Sequence, residues 1–176
     1  MEETKYYCYL DSNGTASTNL QLYSLKKAYE EWHKLNEDYK HDGDNTEDLK
    51  ERIVFITFCL GLSLSQLLGQ NAIITKQKID NPDALLATFL NESKYGKDKK
   101  RSLNKKFNKL IEYYDACRHF GREYDNKKWK KVDTLNIEKV KEFMQTTLDI
   151  WNAVIGHHRS EYIEGDDIKD ILNGYM

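Results

Sequence analysis

Residues 53–68 read Ile53-Val54-Phe55-Ile56-Thr57-Phe58-Cys59-Leu60-Gly61-Leu62-Ser63-Leu64-Ser65-Gln66-Leu67-Leu68. No charged side chain interrupts this stretch. Wound at 3.6 residues per turn, it is apolar on nearly every side, which predicts a helix enclosed by other helices. Its most apolar run, Ile53 to Ser65, is shorter than the roughly 18–20 residues that span a membrane. Gly61 in its middle is either a point where a neighbouring helix approaches closely or a tolerated weak spot.

An enclosed helix needs neighbours that each present one apolar stripe, and the flanking sequence supplies them. On the N-terminal side, Asn45 or Thr46 caps the central helix, and the acids Glu47 and Asp48 suit its first turn. Before it, Leu22, Leu25, Tyr29, Trp32, Leu35 and Tyr39 recur at spacings of three and four, which predicts a helix from about Thr18 to Tyr39. His41-Asp42-Gly43-Asp44 breaks that pattern. Lys5 to Leu10 is short and aromatic, and a lone strand has nothing to pair with. It reads as an extended arm on the bundle.

On the C-terminal side, Asn81-Pro82 is a helix start, with Leu85, Leu86, Phe89 and Leu90 forming a short helix. The basic stretch Lys94 to Lys106 runs into a helix carrying Phe107, Leu110, Ile111, Tyr114 and Cys117, stopped near Gly121. Glu123 to Val132 reads as a basic loop around Trp129. Ile137, Val140, Met144, Leu148, Trp151 and Ile155 predict a long helix from about Asn136 to Ile155, ended by Gly156. Asp166 to Leu172 reads as a final short helix. Four long helical patterns and two short ones predict an all-α, antiparallel helical bundle, a single domain over residues 1–176.

The 176 residues carry one proline and nine glycines, too few for a Pro/Gly-rich disordered chain. Cys8, Cys59 and Cys117 are odd in number and widely spaced. Cys59 and Cys117 sit in apolar helical patterns and are expected to be reduced core residues, so a cytoplasmic setting is expected. Met1-Glu2-Glu3-Thr4-Lys5 lacks the layout of a signal peptide. His33, His41, His119, His157 and His158 show no zinc-type spacing, and Glu164, Asp166, Asp167 and Asp170 read as a charged helix start. No Gly-rich phosphate loop, GxSxG or HExxH occurs. No metal or cofactor is expected, and no membrane partner.

The net charge of −2 hides a split. Residues 94–131 hold 14 Lys/Arg against five acids, a net +9, which leaves −11 for the rest. Such asymmetry speaks to partners. Lys97, Lys99, Lys100, Arg101, Lys105, Lys106, Arg122, Lys127, Lys128, Lys130 and Lys131 are the candidate phosphate contacts, with Trp129 among them. Tyr95, Phe107, Tyr124 and Trp129 are interleaved and could stack on unpaired bases. Equally, the lysines could form a solvated face with the aromatics turned inward. The expected partner is RNA or an acidic protein surface.

Within this segment, Tyr113-Tyr114-Asp115-Ala116-Cys117-Arg118-His119-Phe120-Gly121-Arg122 ends a helix on a cation and an imidazole. Asp115 lies three residues before Arg118 and four before His119, within reach of either. His119 could take a proton from a ribose 2′-hydroxyl while Arg118 holds a phosphate. The alternative is a plain helix end whose cations suit the C-terminal dipole. His157-His158-Arg159 lies roughly 30 Å further along an antiparallel helix, so the two pairs meet only across a homodimer, if at all.

Long helices with a late Arg/His site resemble the HEPN superfamily, small all-α domains of toxin–antitoxin and antiviral defence systems. Many of these are metal-independent RNases that act as dimers. The family pattern is an arginine followed a few residues later by a histidine, whereas Arg118 is followed at once by His119. The resemblance implies a helical interaction module in microbial or phage defence that binds RNA or an acidic protein through residues 94–131. The alternatives are a metal-independent RNase using Arg118, His119 and Asp115, and an adaptor or inhibitor acting through the acidic remainder.

Overall fold

Enclosing an apolar helix takes several neighbours, and the computed structural model gives residues 53–68 three of them. It describes residues 9–10, 16–17, 20–42, 46–74, 86–87, 89–91, 95–118 and 126–158. The helices are α1 (Leu20–Asp42), α2 (Thr46–Ile74), α3 (Lys97–Arg118), α4 (Asn126–Asp133) and α5 (Ile137–His158), and residues 86–87 and 89–91 are also helical. The fold is an all-α bundle of four long helices.

Helix α2 holds the centre and packs against α1, α3 and α5. Ile56, Leu60, Leu64, Leu67 and Leu68 are fully buried along it. Each such side chain contributes about 1.5–3 kcal/mol on leaving water. The neighbours present the stripes that the spacing predicts: Leu22, Leu25, Tyr29 and Leu35 from α1, Leu103, Phe107 and Leu110 from α3, and Val140, Met144, Leu148 and Trp151 from α5.

Pairs between helices give the helix directions. Arg52 on α2 meets Glu31 and Asp38 on α1, and Lys109 on α3 meets Glu142 on α5. Gly61 lies against Tyr114, and Tyr113 lies against Thr134 and Phe143. Antiparallel neighbours in sequence therefore alternate up and down. Trp151 Nε1 donates to Ser63 Oγ at 2.9 Å in the buried interior, which fixes α5 against α2. Tyr29 Oη donates to the Met144 carbonyl at 3.5 Å between α1 and α5. Arg52 ties α1 to α2 through Glu31 at 2.5 Å and Asp38 at 2.6 Å, with Asp48 at 3.8 Å. Burial works against the Arg52 charge, but the hydrogen bonds to Asp38 and Glu31 outweigh it and raise its pKa.

Gly61 proves to be a point of close approach. A Cβ there would lie 2.3 Å from Tyr114 Cβ and 2.4 Å from Cγ, so only glycine lets α3 sit this near. Cys59 and Cys117 are free and buried, as their patterns predict.

Four local expectations change. Residues 126–133 form α4 and not a loop. Lysine is a fair helix former, no Gly or Pro interrupts the segment, and Val132 anchors it in the core. Gly156 does not end α5, which continues to His158; a single glycine costs a helix only about 1 kcal/mol. Helix α1 starts two residues later than expected and carries on through His41 to Asp42. The extended N-terminal segment does find a partner: Tyr9–Leu10 (β1) pairs antiparallel with Ala16–Ser17 (β2), Tyr9 opposite Ser17 and Leu10 opposite Ala16. The helix start at Asn81-Pro82, the stop at Gly121 and the short helix at 166–172 lie outside the described residues.

Candidate nucleic-acid interface

Helix α3 carries the basic segment because its sequence separates two faces. Leu103, Phe107, Leu110, Tyr113 and Cys117 take the core side. Asp98 sits in the first turn and Arg118 in the last, where the helix dipole favours each sign. The backbone bond from Lys100 N–H to the Gly96 carbonyl at 3.1 Å extends the first turn back to Gly96.

Lys97, Arg101 and Lys105 are four residues apart and all exposed. Residues at that spacing stack along one row, about 6 Å per step. No carboxylate of a described residue forms an ion pair with any of the three. They are the solvent-facing cations that the charge split predicts.

The remaining candidates divide. Lys99 Nζ lies 4.2 Å from the centre of the Tyr95 ring, a cation–π contact. Lys100 Nζ donates to the Asn91 carbonyl at 3.1 Å. Lys106 is half-buried, and Lys130 is exposed on α4. Lys131 is paired with Glu112 and lies 5.2 Å from the Tyr113 ring centre. Lys109, also in the basic segment, is held by Glu142 at 2.7 Å. Lys127, Lys128 and Trp129 belong to α4, while Arg122 and His119 lie outside the described residues.

Of the proposed Arg/His constellation, the structure brings together Asp115 and Arg118, at 3.5 Å and both about half exposed. The Arg118 guanidinium also lies 5.7 Å from the centre of the Tyr114 ring.

The aromatics sort differently from the stacking expectation. Phe107 is fully buried in the core, and Tyr95 is half-buried against it under Lys99. Tyr124 lies outside the described residues. Among the described residues, the large rings that stand out as exposed are Tyr23 on α1 and Phe55 on α2, 45% exposed; Phe58 is half-buried against Tyr114. Sequence reasoning missed Phe55 because a stretch apolar all round gives no phase from which to pick the outer side.

Among the described residues, no group of three or more His, Cys, Asp and Glu side chains comes together as a metal ligand set. A concavity of about 350 Å³ lies between α2 and the α4–α5 junction, lined by Leu49, Lys50, Ile53, Leu135, Asn136, Ile137 and Glu138. None of the basic residues of α3 lines it. No family model matches the chain, and no curated protein or solved structure is similar enough to match it.

Proposed function

We propose that this chain is a helical interaction module that binds RNA through the outer face of α3. The observation that carries this reading is the exposed row Lys97, Arg101 and Lys105, without carboxylate partners among the described residues. Neutralising phosphates releases condensed counterions, so such a row binds polyanions most strongly at low salt. The chain outside residues 94–131 is net −11, so the excess cations available to a polyanion belong to this segment. A HEPN-like role in microbial or phage defence, in the cytoplasm, belongs to the same proposal and rests on resemblance alone.

The test is RNA binding by fluorescence anisotropy across a salt series, with wild type and a Lys97→Ala/Arg101→Ala/Lys105→Ala variant. Wild type is expected to bind at low salt, and the variant to lose affinity. An intact variant affinity refutes the basic-row reading. Binding to an acidic protein with no RNA binding would move the role to a protein partner. Chelator-resistant RNA cleavage that disappears in Arg118→Ala would make the chain a metal-independent RNase, with Asp115 positioning Arg118.

A further inference from the structure

The row Lys97, Arg101 and Lys105 does not stop at Lys105. Each step of four residues advances about 40° around a helix, so the row winds on through Lys109 to Tyr113, about 24 Å from Lys97. Exposure falls along it: the first three residues are exposed, Lys109 is half-buried, and Tyr113 is buried against Phe143 of α5. The row therefore turns from the open face of α3 into its seam with α5. At that seam two cations arrive from other helices. Lys131 of α4 lies 5.2 Å from the centre of the Tyr113 ring, and Lys139 of α5 lies 5.5 Å from it. Lys139 falls outside residues 94–131 and counts in the acidic remainder of the chain, yet folding sets it at the end of the basic row.

The neighbouring carboxylates of the described residues are each matched to another lysine. Glu142 holds Lys109, Glu112 is paired with Lys131, Glu138 lies 3.0 Å from Lys141, and Asp133 lies 4.0 Å from Lys50. Among the described residues none of them forms an ion pair with Lys139. Its Nζ donates instead to the Thr134 carbonyl, a neutral acceptor. An ammonium carries three donors, so this bond fixes the group in place and leaves its charge and two N–H bonds for another acceptor.

We infer that Lys139 is a further phosphate contact, and that a bound RNA strand runs off α3, across the seam, onto the α4–α5 junction. The inference rests on the reading of α3 as an RNA-binding helix and extends its footprint to a residue that the charge of the segment alone does not include. Two observations carry it: the four-residue row leads to this seam, and the charge in excess there is positive. A phosphate backbone complements both.

The test uses the full chain and a labelled oligouridine at low salt. Lysines of wild type are acetylated with and without the RNA, and the modified positions are read by mass spectrometry. Lys97, Lys105 and Lys139 are expected to be protected, and Lys141 is not. In parallel, Lys139→Ala, checked for folding by circular dichroism and a urea midpoint, is expected to weaken binding roughly threefold and to shallow the salt slope by about 0.7, the loss of one phosphate contact. Protection of Lys97 and Lys105 without Lys139 overturns the inference and leaves the basic row standing. Protection of Lys141 as well overturns it too, since the RNA then coats charge without a path. A folded Lys139→Ala that binds as wild type does the same. Wild type that binds no RNA at low salt overturns both this footprint and the reading of α3.

Discussion

Gly61 is the residue on which the packing of α2 against α3 turns. In an open helix, Gly→Ala stabilises by about 1 kcal/mol through reduced backbone entropy. Here the added Cβ would fall 2.3 Å from Tyr114 Cβ, which is the base of a ring and no flexible tip. The sign therefore reverses. Gly61→Ala is expected to cost about 1–3 kcal/mol by overpacking, read as a lower urea midpoint. A higher midpoint would show that the two helices do not meet there. The two buried thiols give a pH dependence. Burial pushes Cys59 up to about 11 and Cys117 up to about 12, and Lys27 and Lys50 offset this only in part. Unfolded thiols ionise near about 8.5. Below that pH both states hold the proton and the full stability is present. As pH rises through the window up to about 12, the unfolded chain releases protons that the native chain keeps, so stability falls. Burial of Tyr29, aided by the Asp149 carboxylate, raises its phenol and adds to the fall in the same direction. Urea midpoints measured from about pH 8 upward should decline, and less steeply in Cys117→Ala than in wild type. Thiol reagents at about pH 8 should label Cys59 and Cys117 only on unfolding; prompt labelling of either in folded protein, located by peptide mapping to separate it from Cys8, would contradict their burial.

At the scale of elements, each long helix is specified by an apolar stripe or, in α2, by an apolar run, and its ends are specified by local chemistry. Helix α5 starts where Asn136 Oδ1 accepts the Lys139 backbone N–H at 2.9 Å. Asn136→Ala should cost about 1 kcal/mol in urea unfolding and Asn136→Asp much less, because only alanine removes the acceptor. Equal midpoints for all three proteins would mean that the cap carries nothing. The stripes of α1, α3 and α5 and the unbroken apolar run of α2 were legible in the sequence, because apolar residues at spacings of three and four, or a long uncharged run, allow few other structures. Helix α4 was not legible. Its lysines read as a loop, and tertiary contacts, burial of Val132 and the pairing of Lys131 with Glu112 among them, favour ordering these eight residues as a helix. The run of α5 through Gly156 was likewise invisible, since the cost of one glycine is small against the packing of a helix of 22 residues.

At the scale of the molecule, charge is the readable quantity, and its arrangement is not. The segment 94–131 is net +9 whatever the fold. Which of its cations remain available depends on carboxylates that packing brings beside them: Glu142 on α5 holds Lys109, and Glu112 on α3 holds Lys131 on α4. The row left open predicts a specific salt response. Removing Lys97, Arg101 and Lys105 should shallow the slope of log K against log salt by about 0.7 per lost phosphate contact on single-stranded RNA. Lys141→Ala, which removes a cation on α5 already paired with Glu138 at 3.0 Å, should leave affinity unchanged. If both variants lose affinity alike, binding follows overall charge and not this face. Helix α2 makes a parallel point. By length and composition, Asp48–Gly69 could cross a membrane, yet most of it is buried by its neighbours in this fold. Hydropathy cannot tell whether protein or lipid does the covering, because both remove the same apolar area from water.

The chain's own order of residues determined the helical class, the central place of α2, the reduced cysteines and the unequal charge of its parts. These follow from local periodicity and composition, which no partner is needed to define. Tertiary structure alone decided that Gly61 admits Tyr114, that Phe55 faces out of α2, and which lysines are spent on carboxylates. Those outcomes depend on distances between residues far apart in sequence, and such distances exist only once the helices have packed.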